Sequence, residues 1–254
     1  VTGRLDGVVA LVTGASSGIG EATALALAAE GATLAVAARR RDRLEDLEER
    51  VGNDVQTLVI ETDVADEASA RGMVESTVRE FGRLDILVNN AGVMLLGPVL
   101  DAPVEEWERM VRVNLLGLLY ATHAALPHLL AAADTEPRRV ADVVNVSSVA
   151  GRVARAGNAV YSATKFAVGA FSEGLRQEVT RRQVRVTLIE PGATATELAS
   201  HNRPEILEGI RATFGQAGSI MSAEDVADSI VFTVTRPRHV AVNEVLIRPT
   251  EQER

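Results

Sequence analysis

The sequence predicts an α/β fold built on one doubly wound parallel sheet of about seven strands, with helices on both faces. Three observations carry this. Short apolar runs alternate from end to end with longer segments of helical period. Hydrophobic residues make up 46% of the 254 residues but aromatics only 3%, so the core is aliphatic, as in parallel sheets covered by helices. A glycine-rich turn directly follows the first apolar run.

The elements follow in order. Val8–Thr13 reads as a buried strand and Ile19–Glu30 as an Ala-rich helix ended by Gly31. Thr33–Ala38 is a second strand, and Asp42–Val51 a charged helix opened by a capping Asp. Val55–Ile60 and Asp66–Phe81 form the next strand–helix pair, ended by Gly82. Ile86–Val88 is a short strand bounded by Asn89-Asn90. Val104–Leu130 reads as one long helix, Val140–Val146 as a strand, Asn158–Arg181 as a second long helix and Val184–Ile189 as a strand. Ala223–Thr235 is a late helix and Val245–Ile247 a last strand. Strands separated by helices imply right-handed crossovers and a parallel sheet. No Pro/Ser-rich linker or internal repeat divides the chain, so one domain over 1–254 is expected. Two segments fit less simply. Ala131–Arg139 reads as a polar surface insertion. Residues 193–222, within the long connection Gly192–Ser222, read as a lid over the site.

Composition narrows the function classes. The net charge is −9 with no long basic stretch, so neither nucleic acid nor an anionic membrane is an expected partner. The absence of cysteine excludes disulfides, zinc–thiolate sites and a thiol nucleophile. His123, His128, His201 and His239 form no metal-binding spacing, and no metal is expected. No signal-peptide pattern precedes the first strand and no apolar run approaches a membrane span. A cytoplasmic location is the expectation.

The glycine turn runs Thr13-Gly14-Ala15-Ser16-Ser17-Gly18-Ile19-Gly20. Glycines there permit a tight turn and close approach of backbone to a phosphate. The following helix offers free N–H groups and the positive end of its dipole. The spacing is G-x-x-x-G-x-G, which differs from the usual dinucleotide fingerprint. Its place after the first strand marks a Rossmann-type nucleotide site. A second strand that binds NAD commonly ends in an acid that holds the ribose hydroxyls. This one ends Ala37-Ala38-Arg39-Arg40-Arg41, and arginine suits a 2′-phosphate instead. NADP(H) is therefore expected, with Arg39 as the main contact and Arg40 second; a solvated basic helix start is the plainer alternative.

Of the 26 lysine and arginine residues, one is lysine: Lys165. It lies four residues after Tyr161 on a predicted helix, so the two share a face. Arginine replaces lysine where only charge matters, but not where a compact ammonium or a movable proton does. A nearby ammonium is expected to lower the pKa of the phenol and fit it for acid–base work.

With these motifs in place, the chain resembles the short-chain dehydrogenase/reductases over essentially its whole length. Gly14, Gly18 and Gly20 after Thr13, Asp63-Val64, Asn89-Asn90-Ala91-Gly92, Asn114, Ser147-Ser148, Tyr161-x-x-x-Lys165, and Pro191-Gly192 with Thr196 stand in that family's order. Val93–Pro98, Ala150-Gly-Arg152, Ile189–Gly192 and Ile247–Thr250 look closest to the branch that includes clavulanic acid dehydrogenase. The resemblance implies a catalytic set of Asn114, Ser148, Tyr161 and Lys165. Ser148 would polarise the substrate oxygen. Lys165 would also bond the nicotinamide ribose, and Asn114 would mark a helix kink that holds a water in a proton relay. Cofactor contacts are implied at Gly14, Ser16, Ser17, Gly18, Ile19 and Gly20; at Asp63 and Val64 for the adenine; at Asn90, Ala91 and Gly92 beside the ribose; and at Pro191, Gly192, Thr194 and Thr196. Ser17 stands where the family often carries a second basic residue.

The function so implied is an NADP(H)-dependent carbonyl reductase or alcohol dehydrogenase acting on a small aldehyde or ketone. Met94, Leu95, Leu96, Val149, Val153, Asn158, Ala193 and the lid are expected to bound its pocket. Arg152 and Arg155 are candidates to attract a carboxylate, with solvated loop arginines as the plainer reading. The long helices resemble those of the family's four-helix seam, which implies a homotetramer or homodimer. The rival class is a non-catalytic NADP(H) sensor on the same fold. A further rival is a dehydratase or epimerase that uses the cofactor transiently.

Overall fold

The computed structural model describes residues 3–214 and 220–253, with side chains described to 209 and again from 220. Seven strands form one parallel sheet in the order β3-β2-β1-β4-β5-β6-β7. They are β1 (Val9–Thr13), β2 (Thr33–Ala38), β3 (Thr57–Glu61), β4 (Ile86–Asn89), β5 (Ala141–Val146), β6 (Val184–Pro191) and β7 (Glu244–Ile247). The helices are α1 (Gly18–Ala29), α2 (Arg41–Val51), α3 (Glu67–Phe81), α4 (Val104–Val111), α5 (Gly117–Ala133), α6 (Ala159–Val179), α7 (Pro204–Phe214) and α8 (Ala223–Val234).

Successive residues of a strand face opposite sides, and both sides here are apolar. Ala10 and Val12 of β1 face a cluster with Leu27 of α1, Leu44 and Leu47 of α2 and Ile230 of α8. Val9 and Leu11 face the other cluster, with Met73 of α3, Ala125 and Leu129 of α5 and Leu175 of α6. The strand order reverses direction at β1, whose next neighbour is β4. Ligands of open α/β sheets bind at such a point, outside the carboxyl ends of the strands.

Three expectations are corrected. The predicted long helix is interrupted: α4 passes into a π-helical turn, Arg112–Leu116, before α5. Val104–Ala133 together is long and apolar enough by composition to cross a membrane, contrary to the sequence reading. Here its apolar residues Ala121, Ala125, Leu129 and Ala133 pack on the sheet. The capping position of α2 is Arg40, with Asp42 inside the first turn. The segment Ala131–Arg139 is a surface segment, exposed over 134–137, but it is anchored at both ends. Ala132 and Ala133 are buried at the end of α5, and Arg138 bonds Asp142 at 2.6 Å and the Val234 carbonyl at 2.8 Å.

The segment expected to form the lid contains regular elements among its described residues. Thr194 pairs with Met221, a 3₁₀ turn covers Glu197–His201, and α7 follows. The part of the expected lid over 215–219 lies outside the described residues.

Candidate active site

The glycine loop is held from below by the end of β4. The Thr13 hydroxyl accepts from the Asn90 and Ala91 amides at 3.0 and 3.1 Å. The Asn90 amide donates to the carbonyls of Thr13 and Gly14, both at 3.1 Å. Asn90 thus supports the loop with its side chain. Gly14 and Gly18 have φ of +65° and +58°, which a β-carbon disfavours. Gly20 is required by contact: a β-carbon there would lie 2.4 Å from Asn90 Nδ2 and from the Gly14 carbonyl oxygen. Ser17 is the N-cap residue of α1, yet its hydroxyl makes no cap bond. The first-turn amides of α1 are therefore left without a side-chain acceptor, the arrangement that receives an anion.

Arg40 explains where the Ser17 hydroxyl goes. Arg40 Nη2 donates to Ser17 Oγ at 2.9 Å and to Ser16 Oγ at 3.1 Å. Its Nη1 pairs with Glu197 Oε2 at 2.8 Å. Arg39 is exposed and makes no hydrogen bond or ion pair among the described residues. The two arginines at the end of β2 therefore differ: one is tied into the loop and one is free to meet a ligand. On the adenine side, Asp63 Oδ1 accepts from the Ala65 amide at 3.0 Å in a local turn. Val64 is packed so closely on α5 that a β-carbon at Gly117 would lie 2.8 Å from it.

The second half of the site collects at the ends of β4, β5 and β6. Tyr161 is 5% exposed and Lys165 6%. The Tyr161 phenol neighbours the Ser148 hydroxyl, which favours its ionised form. Ser148 Oγ accepts from the Ala150 amide at 3.1 Å. Ser147 points the other way, as expected of its neighbour on extended backbone, and donates to the Lys165 carbonyl at 3.1 Å. Lys165 Nζ donates to the Val146 carbonyl at 2.9 Å and lies 5.8 Å from the centre of the Tyr161 ring.

Burial governs the protonation of both groups. It pushes the Tyr161 phenol up to about 12, with the Ser148 hydroxyl pulling the other way. It lowers the Lys165 ammonium to about 8. The expectation that Lys165 depresses the phenol is not met: loss of hydration favours the neutral form of each group.

Asn114 sits in the π-helical turn and is 2% exposed. Its Oδ1 accepts from the Val93 amide at 2.8 Å, and its Nδ2 donates to the Val93 carbonyl at 2.9 Å and to Thr164 at 3.2 Å. A β-carbon at Gly92 would lie 3.4 Å from Asn114 Oδ1 and 3.9 Å from Lys165 Nζ. The helix irregularity read from the sequence is therefore real. It turns an Asn onto the β4 loop beside Lys165.

Beyond β6, the Gly192 amide donates to the Ile247 carbonyl at 2.8 Å and the Ala193 amide to Gln252 Oε1 at 2.8 Å. Thr194 donates to the Gly192 carbonyl at 3.1 Å. Thr196 caps the turn Glu197–His201, and its Cγ2 would lie 3.0 Å from a β-carbon at Gly18. The Pro191–Thr196 segment thus closes against the glycine loop.

Sequence reading misses three supports. Gln252 comes from the far end of the chain with no motif around it. Glu197 lies next to Thr196, but nothing in its neighbourhood announces Arg40. Asn202 accepts from the Leu96 amide at 2.7 Å and donates to the Met94 carbonyl at 2.8 Å, tying the end of the 3₁₀ turn Glu197–His201 to the loop after β4. Arg152 is removed from the substrate candidates. It pairs with Glu190, 1% exposed, at 2.6 Å and also with Glu244. Arg155 is likewise engaged and its amide donates to Asn158 Oδ1 at 2.7 Å.

A family model described as short chain dehydrogenase matches residues 8–206, and the chain belongs to that family of oxidoreductases. Over 252 residues it is 43% identical to glycine betaine reductase ATRR of Emericella nidulans. That match covers 98% of this chain but only 19% of the longer protein. Over 247 residues it is 37% identical to an uncharacterized oxidoreductase of Staphylococcus saprophyticus, covering 96% of each. Among solved structures, the closed form of a serine dehydrogenase complexed with NADP+ superposes with a TM-score of 0.88 at 33% identity, covering 97% of each chain. An alcohol dehydrogenase from Thermococcus sibiricus complexed with 5-hydroxy-NADP gives 0.85 at 27% identity, covering 97% of this chain and 98% of the other.

Proposed function

We propose that the protein is an NADP(H)-dependent carbonyl reductase or alcohol dehydrogenase acting on a small aldehyde or ketone, with Tyr161 as general acid or base. The half-buried Ser148 beside the buried Tyr161 and Lys165, at the ends of the strands with an uncapped helix N-terminus at the switch point, carries this reading. Serine dehydrogenase and alcohol dehydrogenase among the similar structures support an alcohol or carbonyl substrate. The residues suit NADP(H). Gly14, Ser16, Ser17, Gly18, Ile19 and Gly20 would receive the pyrophosphate, and Arg39 with Arg40 the 2′-phosphate. Asp63 and Val64 would border the adenine, and Asn90, Ala91 and Gly92 its ribose. Lys165 would hold the nicotinamide ribose, and Pro191, Gly192, Thr194 and Thr196 the nicotinamide end.

When bound, the cofactor supplies or accepts the hydride. In reduction, Ser148 donates to the substrate oxygen and holds it against Tyr161. Tyr161 gives its proton to that oxygen as the carbonyl carbon gains hydride. Lys165 stabilises the phenolate left behind, and Asn114 fixes the β4 loop beside it. Solvent then returns the proton to Tyr161.

The test is NADPH consumption over a panel of aldehydes and ketones, with NADH in parallel, for wild type and Tyr161→Phe. We expect preference for NADPH and a fall of about 10²–10⁴-fold in the variant, while NADPH binding followed by fluorescence changes little. Undiminished turnover in the variant would overturn the role of Tyr161; preference for NADH would overturn that of the arginines.

We read the chain as one domain that assembles as a homotetramer or homodimer. Exposed apolar side chains support this at Val111 and Phe166 on α4 and α6, and at Phe232 and Leu246 on α8 and β7. A monomer by light scattering would overturn it. We keep the cytoplasm as the expected location, and the net charge of −9 supports a protein without nucleic-acid or anionic-membrane partners.

A further inference from the structure

We propose that Glu197 is a specificity-determining residue that competes with the cofactor 2′-phosphate for Arg40 and so weakens discrimination for NADP(H) over NAD(H). The inference rests on the assignment of the 2′-phosphate to Arg39 and Arg40.

The geometry is specific. Thr196 packs over Gly18 and caps the turn that begins at Glu197. That contact delivers the Glu197 carboxylate across the mouth of the glycine loop to Arg40 Nη1 at 2.8 Å. The nearby Ser17 hydroxyl and the Arg43 charge add smaller favourable contributions to the charged carboxylate. The Arg40 bond comes first in holding the carboxyl below its ordinary pKa, so it is an anion at neutral pH. Arg40 Nε and Nη2 are committed to Ser16 and Ser17. Nη1 is the donor whose acceptor comes from beyond the loop.

A 2′-phosphate that uses this donor displaces Glu197 or shares one guanidinium with it as a second anion. Either course costs affinity. A 2′-hydroxyl makes no such demand and can donate to the carboxylate instead. Arg39, which has no hydrogen-bond or ion-pair partner among the described residues, is left as the uncontested phosphate contact. The pair is 43% exposed on both sides, which bounds the effect. Exposed pairs of this kind correspond to about two- to fivefold in a binding constant.

Calorimetric titration of the full chain with 2′,5′-ADP and with 5′-ADP tests this without turnover. Glu197→Gln keeps the size and the exposed setting of the side chain and removes its charge. We expect it to bind 2′,5′-ADP about two- to fivefold more tightly than wild type, with 5′-ADP affinity unchanged. Unchanged or weaker 2′,5′-ADP binding would overturn the proposal. So would an equal gain for both nucleotides, which would mean that Glu197 acts on the loop's shape. Arg39→Gln and Arg40→Gln separate the two levels. Loss of 2′,5′-ADP binding in these variants without a gain in Glu197→Gln sinks the Glu197 inference alone. No loss in either arginine variant sinks the 2′-phosphate assignment and the inference with it.

Discussion

Lys165 Nζ donates to the main-chain carbonyl of Val146 at 2.9 Å, so the ammonium is tethered to the end of β5, beside Ser147 and Ser148. Burial lowers it to about 8 from the ordinary 10.5. Between those values the unfolded chain binds a proton that the folded chain does not, so stability rises with pH there. Below about pH 8 both states carry the proton, and the cost of burying the ammonium is felt in full. The slope from this group is at most about 1.4 kcal/mol per pH unit. Tyr161, raised to about 12, opposes it only above pH 10. Urea denaturation at pH 7 and 9.5 checks this: Lys165→Met is expected to remove the rise. An identical pH dependence in both proteins would refute it.

Asn114 satisfies both the amide and the carbonyl of Val93. Asn114→Ala leaves two main-chain groups without their partner at a buried site. It is expected to destabilise the fold by about 2–3 kcal/mol and to lower turnover. Asn114→Asp retains the acceptor for the Val93 amide but has no donor for its carbonyl, and falls between. Chemical denaturation orders the three proteins.

Arg152 pairs with Glu190, which is 1% exposed at the carboxyl end of β6. Removing the arginine leaves a buried carboxylate without its charge partner. Arg152→Ala is expected to cost about 3 kcal/mol and to leave KM for a small carbonyl substrate within about twofold. A large rise in KM at unchanged stability would instead return Arg152 to the substrate pocket.

Gly20→Ala places a β-carbon 2.4 Å from Asn90 Nδ2 and from the Gly14 carbonyl oxygen. The backbone cannot yield cheaply, because Asn90 is itself bonded to Thr13 and Gly14. The variant is expected to lose about 1–3 kcal/mol of stability and to bind NADPH more weakly. Thermal unfolding with and without NADPH reads both: the stabilisation by cofactor shrinks along with the baseline.

Much of this architecture is local and therefore readable. The alternation of apolar runs with helical segments placed all seven strands to within a few residues, because strand and helix periods are properties of contiguous sequence. Tyr161 and Lys165 share a face because one helix spaces them. The kink that the family resemblance implied at Asn114 coincides with the π-helical turn Arg112–Leu116. Helix α7 escaped because Pro204 and Gly209 blur its period, and the order of the strands is not a local property.

What depends on distant parts of the chain needed the fold. That Arg40 is spent on Ser16, Ser17 and Glu197, while Arg39 has no partner among the described residues, follows from the crossing of the Thr196–Glu197 turn over the glycine loop. Neither the composition of Arg39-Arg40-Arg41 nor its position can tell these arginines apart. That Arg152 serves Glu190, that Asn202 bonds the Met94 carbonyl and that Gln252 bonds the Ala193 amide likewise follows from contacts between distant parts of the chain. The protonation of Tyr161 and Lys165 belongs to the same class. Spacing put an ammonium near a phenol, but hydration lost on burial, which exists only once the helices close over the sheet, decides the direction in which each pKa moves.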